Sequence, residues 1–93
     1  MIEKDIEHSL IKAVRKGGGM CLKFVCPGLD GVPDRLVLFP GGRCAFVELK
    51  APGRKPRKLQ LRRMEQISAL GFPCLVIDAK DQIGGMIDEL LSS

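Results

Sequence analysis

No stretch of this 93-residue chain approaches the roughly 18 consecutive apolar residues of a membrane span. Where a secretory leader would carry an apolar run, the sequence has Glu3, Lys4, Asp5 and Glu7. A soluble intracellular protein is therefore expected. Cysteine is present at positions 21, 26, 44 and 74 but never at the C-x-x-C spacing of zinc or redox sites. Cys21 and Cys26 are an odd number of residues apart, so on one strand they would point to opposite faces. All four read as small apolar core residues in a reducing compartment. Internal repeats and low-complexity segments are absent, and tryptophan and tyrosine do not occur at all. Acidic residues are missing from Lys50 to Arg63, which holds seven basic ones: Lys50, Arg54, Lys55, Arg57, Lys58, Arg62 and Arg63. In a chain of net charge +4 that run is a local footprint for a polyanion, although taken alone it also fits a solvated loop and helix face.

What is present suffices for one modest core. The length suits a single domain over residues 1–93, and 45% of the residues are apolar. Ile2, Ile6, Leu10, Ala13 and Val14 recur at helical spacing and predict a helix over about residues 2–16 that stops at Gly17-Gly18-Gly19. Strands are predicted from Met20 to Cys26, Val32 to Phe39 and Arg43 to Ala51, separated by turns at 27–31 and at Pro40-Gly41-Gly42. After an ordered loop between Pro52 and Pro56, Leu59 to Leu70 has helix periodicity and ends at Gly71. Phe72 to Asp78 is almost wholly apolar and predicts a fourth strand buried on both faces. Asp81 to Leu91 reads as a weaker helix, because Gly84-Gly85 costs about 1 kcal/mol per glycine relative to alanine. The order is α-β-β-β-α-β-α.

Within this pattern Asp34, Glu48 and Lys50 stand at the ends of two segments that otherwise read as buried strands. An unpaired carboxylate out of water costs several kcal/mol, so something must compensate it. A hard divalent cation, which takes one or two carboxylates and leaves other positions to water and phosphate, would do so, and the chemistry suggested is metal-assisted phosphodiester cleavage. Glu48 and Lys50 are two apart and share a strand face. Whether Asp34 joins them depends on the hairpin. A two-residue loop at Gly41-Gly42 sets it opposite Leu49, on the wrong face, whereas a three-residue Pro40-Gly41-Gly42 loop sets it opposite Glu48. The odd-length connection is predicted, because glycine at its third position suits the left-handed residue of a bulge.

Four further positions are candidates. Gln60 falls on the core face of its helix, near Met64 and Ile67, where it can orient a water, hold Lys50, contact the scissile backbone or simply cap the neighbouring loop. Glu3 and Glu7 both lie within the apolar arc of the first helix. Glu7 is favoured for a site because it is a full turn inside the helix, while Glu3 also fits as favourable charge at a helix N-terminus. Lys23 is either a solvent-facing lysine or a contact at the edge of the site.

The segments Gly31-Val32-Pro33-Asp34-Arg35-Leu36 and Phe46-Val47-Glu48-Leu49-Lys50-Ala51-Pro52-Gly53, followed by Leu59-Gln60-Leu61, resemble the PD-(D/E)XK nuclease superfamily and, more narrowly, its VRR-NUC family. The resemblance runs across essentially the whole chain. It implies an α/β, restriction-endonuclease-like core, a mixed four-stranded sheet flanked by helices. It also implies a Mg²⁺- or Mn²⁺-dependent phosphodiesterase of the compact stand-alone type found in phages and prophages. At matching positions it implies Asp34 and Glu48 as metal ligands with the Leu49 backbone carbonyl, Lys50 as the lysine that activates water or stabilises charge, Gln60 as the helix glutamine, and Glu7 as the first-helix acid and a further candidate ligand.

On this reading Lys23, Arg35, Arg54, Lys55, Arg57, Lys58, Arg62 and Arg63 are candidate DNA contacts, gripping phosphates and carrying little sequence information. Lacking an aromatic reader, the chain is expected to recognise shape, and cutting both strands symmetrically would require a homodimer. Similarity to the compact phage type adds a preference for four-way (Holliday) junctions. The rivals are a flap or fork endonuclease and a DNA-binding adaptor that does not cut.

Overall fold

A computed structural model describes residues 2–92. Its elements are α1 (Glu3–Lys16), β1 (Met20–Lys23), β2 (Arg35–Phe39), β3 (Arg43–Leu49), α2 (Lys58–Ala69), β4 (Cys74–Ile77) and α3 (Ile83–Ser92), with a 3₁₀ turn at Lys80–Gln82 leading into α3. The order matches the predicted one, with ends shifted by a few residues. β1 stops three residues before the predicted Cys26, although the Phe24 N–H still donates to the Asp34 carbonyl at 2.8 Å and carries the ladder one step further.

The four strands form one mixed sheet in the order β1-β2-β3-β4, with β1-β2 and β2-β3 antiparallel and β3-β4 parallel. Successive side chains point to opposite faces, and the register sorts them cleanly. One face carries Cys21, Val37, Phe39, Ala45, Val47, Leu49, Leu75 and Ile77. Against it α1 lays Ile6, Leu10 and Val14, spaced four apart on one helix stripe, and α3 lays Ile83, Met86, Ile87 and Leu90. This is the core. Packing of that stripe, not intrinsic propensity, holds α3 in spite of Gly84-Gly85 in its first turn.

The other face carries Met20 and Leu22, Leu36 and Leu38, Cys44 and Phe46, and Cys74 and Val76, with Glu48 at one end. It is only partly covered. Phe46 contacts Phe24 and Phe72 edge-on, with ring centroids 5.3 and 6.3 Å apart. α2 buries only Met64 and Gln60. β4 is consequently not buried on both faces as its composition suggested. It is an edge strand, Val76 is 37% exposed, and the apolar run reflects one sealed face and one open one. The four cysteines are likewise free and half-buried, set around the edge of the core instead of within it.

The β2-β3 connection decides the register. Phe39 pairs with Arg43, so the loop is the three residues Pro40-Gly41-Gly42, and Gly41 and Gly42 have φ of 85° and 76°. Two consecutive left-handed residues are readily available only to glycine.

Candidate active site

Asp34 is the residue just before β2, and continuing the β2-β3 register by one rung sets it opposite Glu48. Its Oδ2 accepts the Leu49 N–H at 3.0 Å, which ties the end of β2 to the end of β3. An extended residue turns its N–H and C=O to the same flank of the strand, so the Leu49 carbonyl faces that flank too. The preceding loop is held against α2. Gly31, with φ of 86°, lies so close to Leu59 that a Cβ there would come within 2.8 Å of the leucine side chain.

Glu48 is 1% exposed and is the most deeply buried charged residue described. Its Oε2 accepts Gln60 Nε2 at 2.8 Å and pairs with Lys50 Nζ at 3.3 Å. Its Oε1 is buried with no partner at all. Burial, and secondarily the charge on Asp34, push the Glu48 carboxyl above its ordinary range, while Lys50 and the main chain at Asp34 pull the other way. Lys50 continues the sheet beyond β3, its N–H donating to the Ile77 carbonyl at 3.0 Å.

Gln60 combines the capping role its position suggested with a bond to Glu48 that it did not. Its Oε1 accepts the Arg57 N–H at 2.8 Å, closing the start of α2, and its Nε2 is thereby aimed at Glu48. Because one end of the amide must accept and the other must donate, the two bonds fix its orientation.

These residues suit a hard divalent cation: two carboxylates, one with an unpartnered oxygen out of water, beside a main-chain carbonyl. Among the described residues no three Asp, Glu, His or Cys side chains converge, so other ligand positions would fall to water and phosphate.

The remaining sequence candidates divide. Arg54, Lys55, Arg57, Lys58 and Arg62 are exposed on the loop and helix that follow Lys50. Arg35 stands apart from this exposed run. It projects from the sealed face, its side chain is 12% exposed, and its guanidinium pairs with Glu7 at 3.0 Å. The same pair sets the two first-helix acids apart. Glu7 is held by Arg35 on the α1 side of the sheet, whereas Glu3 lines a cavity of about 380 Å³ together with Lys50, Ala51, Pro52 and Arg54. The missed signal was the alternation Arg35, Val37, Phe39, which turns the arginine inward and calls for an acid opposite. Arg63 is also committed locally, donating to the Asp30 carbonyl at 2.8 Å and to Gln66 at 3.0 Å. Lys23 is exposed on the edge strand β1, opposite Arg35 and on the α1 face, and the structure does not bring it to Glu48.

A mixed sheet whose paired strand ends bring an aspartate against a Glu-x-Lys element, crossed by a glutamine-bearing helix, defines the restriction-endonuclease-like class of nuclease folds. A solved structure described as a VRR_NUC domain superposes with a TM-score of 0.86 at 30% sequence identity, covering 92% of this chain and 94% of that one. A curated phage protein, "Putative nuclease p44" of Acyrthosiphon pisum secondary endosymbiont phage 1, is 52% identical over 79 residues, 85% of each chain. No family model matches the sequence. The chain belongs to the VRR-NUC family of PD-(D/E)XK nucleases.

Proposed function

We propose that this chain is a Mg²⁺- or Mn²⁺-dependent endonuclease that cuts branched DNA, four-way junctions foremost, as a homodimer. The observation that carries the catalytic part is the division of labour on Glu48. Gln60 and Lys50 occupy Oε2, and Oε1 is left buried and bare beside Asp34. A fold leaves a carboxylate oxygen in that condition at a cost, and a cation removes the cost.

Asp34, Glu48 and the Leu49 carbonyl would hold the ion, which when bound neutralises charge on the scissile phosphate and makes water a better nucleophile. The protein's own groups do the rest. Gln60 keeps Glu48 from turning, and Asp34 Oδ2, anchored on the Leu49 N–H, keeps the two strand ends in register. Lys50, with its side chain only 19% exposed, places a cation where the attacking water must be oriented or deprotonated and where negative charge develops. Arg54, Lys55, Arg57, Lys58 and Arg62 would grip phosphates on either side of the cut.

Each chain presents one such site, so paired cuts on opposite strands need two copies. The half-exposed apolar rung Leu22-Leu36-Phe46-Cys74, with Phe72 46% exposed beside it, is a surface that a second copy would cover. The phage origin of the 52% identical relative favours action inside a bacterial host.

The test is a single cleavage assay on end-labelled four-way junction, flap, fork and linear duplex, with Mg²⁺, Mn²⁺ or EDTA. Metal-dependent product is expected fastest from the junction and absent with Glu48→Ala. Faster cutting of the flap or fork transfers the assignment to those substrates. DNA binding without any metal-dependent product over Glu48→Ala would make the chain a binding module.

A further inference from the structure

A concavity of about 660 Å³ lies away from the carboxylates. It lies between the outward side of α1 and the turn at Lys80–Gln82, and its lining includes Asp5, His8, Lys12, Arg15 and Lys80. His8, Lys12 and Arg15 follow one another at spacings of four and three, so they form a single ridge along α1. Lys80 faces them from a different element, and the groove therefore has cations on both walls.

The lining holds a single acid, Asp5, whose Oδ2 accepts the Ile2 N–H at 3.2 Å. Among the described residues the ion pairs are Arg35–Glu7 and Lys50–Glu48, and neither reaches this groove. Lys12, Arg15 and Lys80 thus set three positive charges around the cavity against the single carboxylate of Asp5, an arrangement whose natural complement is a run of phosphates.

Its position relative to the catalytic residues gives the groove a role. Both walls start beside the site. The Lys50 N–H is bonded to the Ile77 carbonyl, and Lys80 follows three residues later; Glu3 shares a cavity with Lys50, and Asp5 and His8 follow it on the same helix. Yet α1 covers one face of the sheet, while α2, with Arg57, Lys58 and Arg62 at its start, lies on the other. Two cationic surfaces therefore leave the site on opposite sides of the sheet. A straight duplex can follow one of them. Duplex arms that diverge at the scissile phosphate can follow both.

We infer that the α1 groove binds the phosphodiester backbone of a second duplex arm, so that shape selectivity arises from engaging both surfaces at once. This rests on the proposal that the substrate is branched DNA, and it adds Lys12, Arg15 and Lys80 as the residues that favour branching.

The experiment measures binding in EDTA, so that no cutting intervenes, to a four-way junction and to a linear duplex of equal total length over a range of salt concentrations. The protein is wild type, the triple variant Lys12→Ala/Arg15→Ala/Lys80→Ala, and Lys80→Glu alone, which alters only the wall outside α1. All three substituted side chains line an open groove, and an unchanged melting temperature confirms folding. The triple variant should lose roughly tenfold or more in junction affinity, with the salt dependence shallower by about two to three units for three lost phosphate contacts, while linear-duplex binding stays within about twofold. Lys80→Glu should shift the same way. Unchanged junction binding overturns the inference, as does an equal loss on both DNAs or a wild type that binds both alike. The nuclease reading is judged separately, by cutting: a protein that never cuts yet loses junction preference in the triple variant upholds the groove and not the catalysis.

Discussion

One face of the sheet packs Val37, Ala45 and Val47 against Ile6, Leu10 and Val14 of α1, and water reaches none of the six. The opposite face sets Leu22, Leu36, Phe46 and Phe72 in a half-exposed row and, at the end where α2 crosses, encloses Glu48. The first face is apolar at its centre, with the Arg35–Glu7 ion pair at its margin, and its main work is to exclude water. The second is incompletely covered and carries the whole carboxylate, lysine and glutamine constellation. The difference shows how a small domain holds an unfavourable charge. Burial on the sealed face supplies the stability, at roughly 25 cal/mol per Å² of apolar surface removed from water, and the other face is free to keep a carboxylate oxygen without a partner.

Truncation should separate the two faces most strongly. Leu10→Ala is expected to cost about 2–5 kcal/mol and lower the melting temperature by roughly 10 °C or more, while Leu22→Ala should cost about 1 kcal/mol or less, both measured by thermal and urea unfolding. Equal costs would mean that the second face is sealed in solution, as a tight dimer would make it. Lys50→Ala should destabilise the metal-free fold, because it strips the buried Glu48 carboxylate of its ion pair, and should reduce cleavage by about 10²–10³-fold, the size typical of losing one preorganised charge-stabilising group, with Mn²⁺ binding retained in calorimetry. Loss of Mn²⁺ binding in that variant would assign Lys50 to shaping the ligands instead.

The smallest effect concerns pH. Because the Glu48 carboxyl is raised above its ordinary value of 4.5, the metal-free folded protein keeps a proton that the unfolded chain has already released. Its stability should therefore fall as pH rises from 4.5 through the raised value, and Glu48→Gln should remove that part of the dependence. In EDTA the melting-temperature difference in favour of Glu48→Gln should widen toward neutral pH. A difference that stays constant with pH would show that Glu48 is already compensated without a metal.

Much of the site was legible because its residues break the local pattern. Glu48 and Lys50 interrupt an apolar strand, Gln60 interrupts a helix stripe, and the length of the Pro40-Gly41-Gly42 turn follows from where glycine is needed. Pairings between distant segments were not legible in this way. Glu7 broke the pattern as clearly as Glu48 did, but its partner Arg35 lies 28 positions away on another element. A carboxylate among apolar residues signals a need without naming what answers it. Similarly, Arg63 reads as one more member of a basic run until the fold sets the Asp30 carbonyl beside it.

The sequence by itself determined the element order, the hairpin register and the face on which Asp34, Glu48 and Lys50 lie, because periodicity and turn chemistry act over a few residues. Only the tertiary structure decided which of the two first-helix acids pairs with Arg35, which cations are committed to internal bonds, and that an apolar strand such as β4 would keep one face open. Those outcomes depend on how far α1 and α2 extend over the two faces of the sheet, and coverage is a property of packed elements, not of any segment read alone.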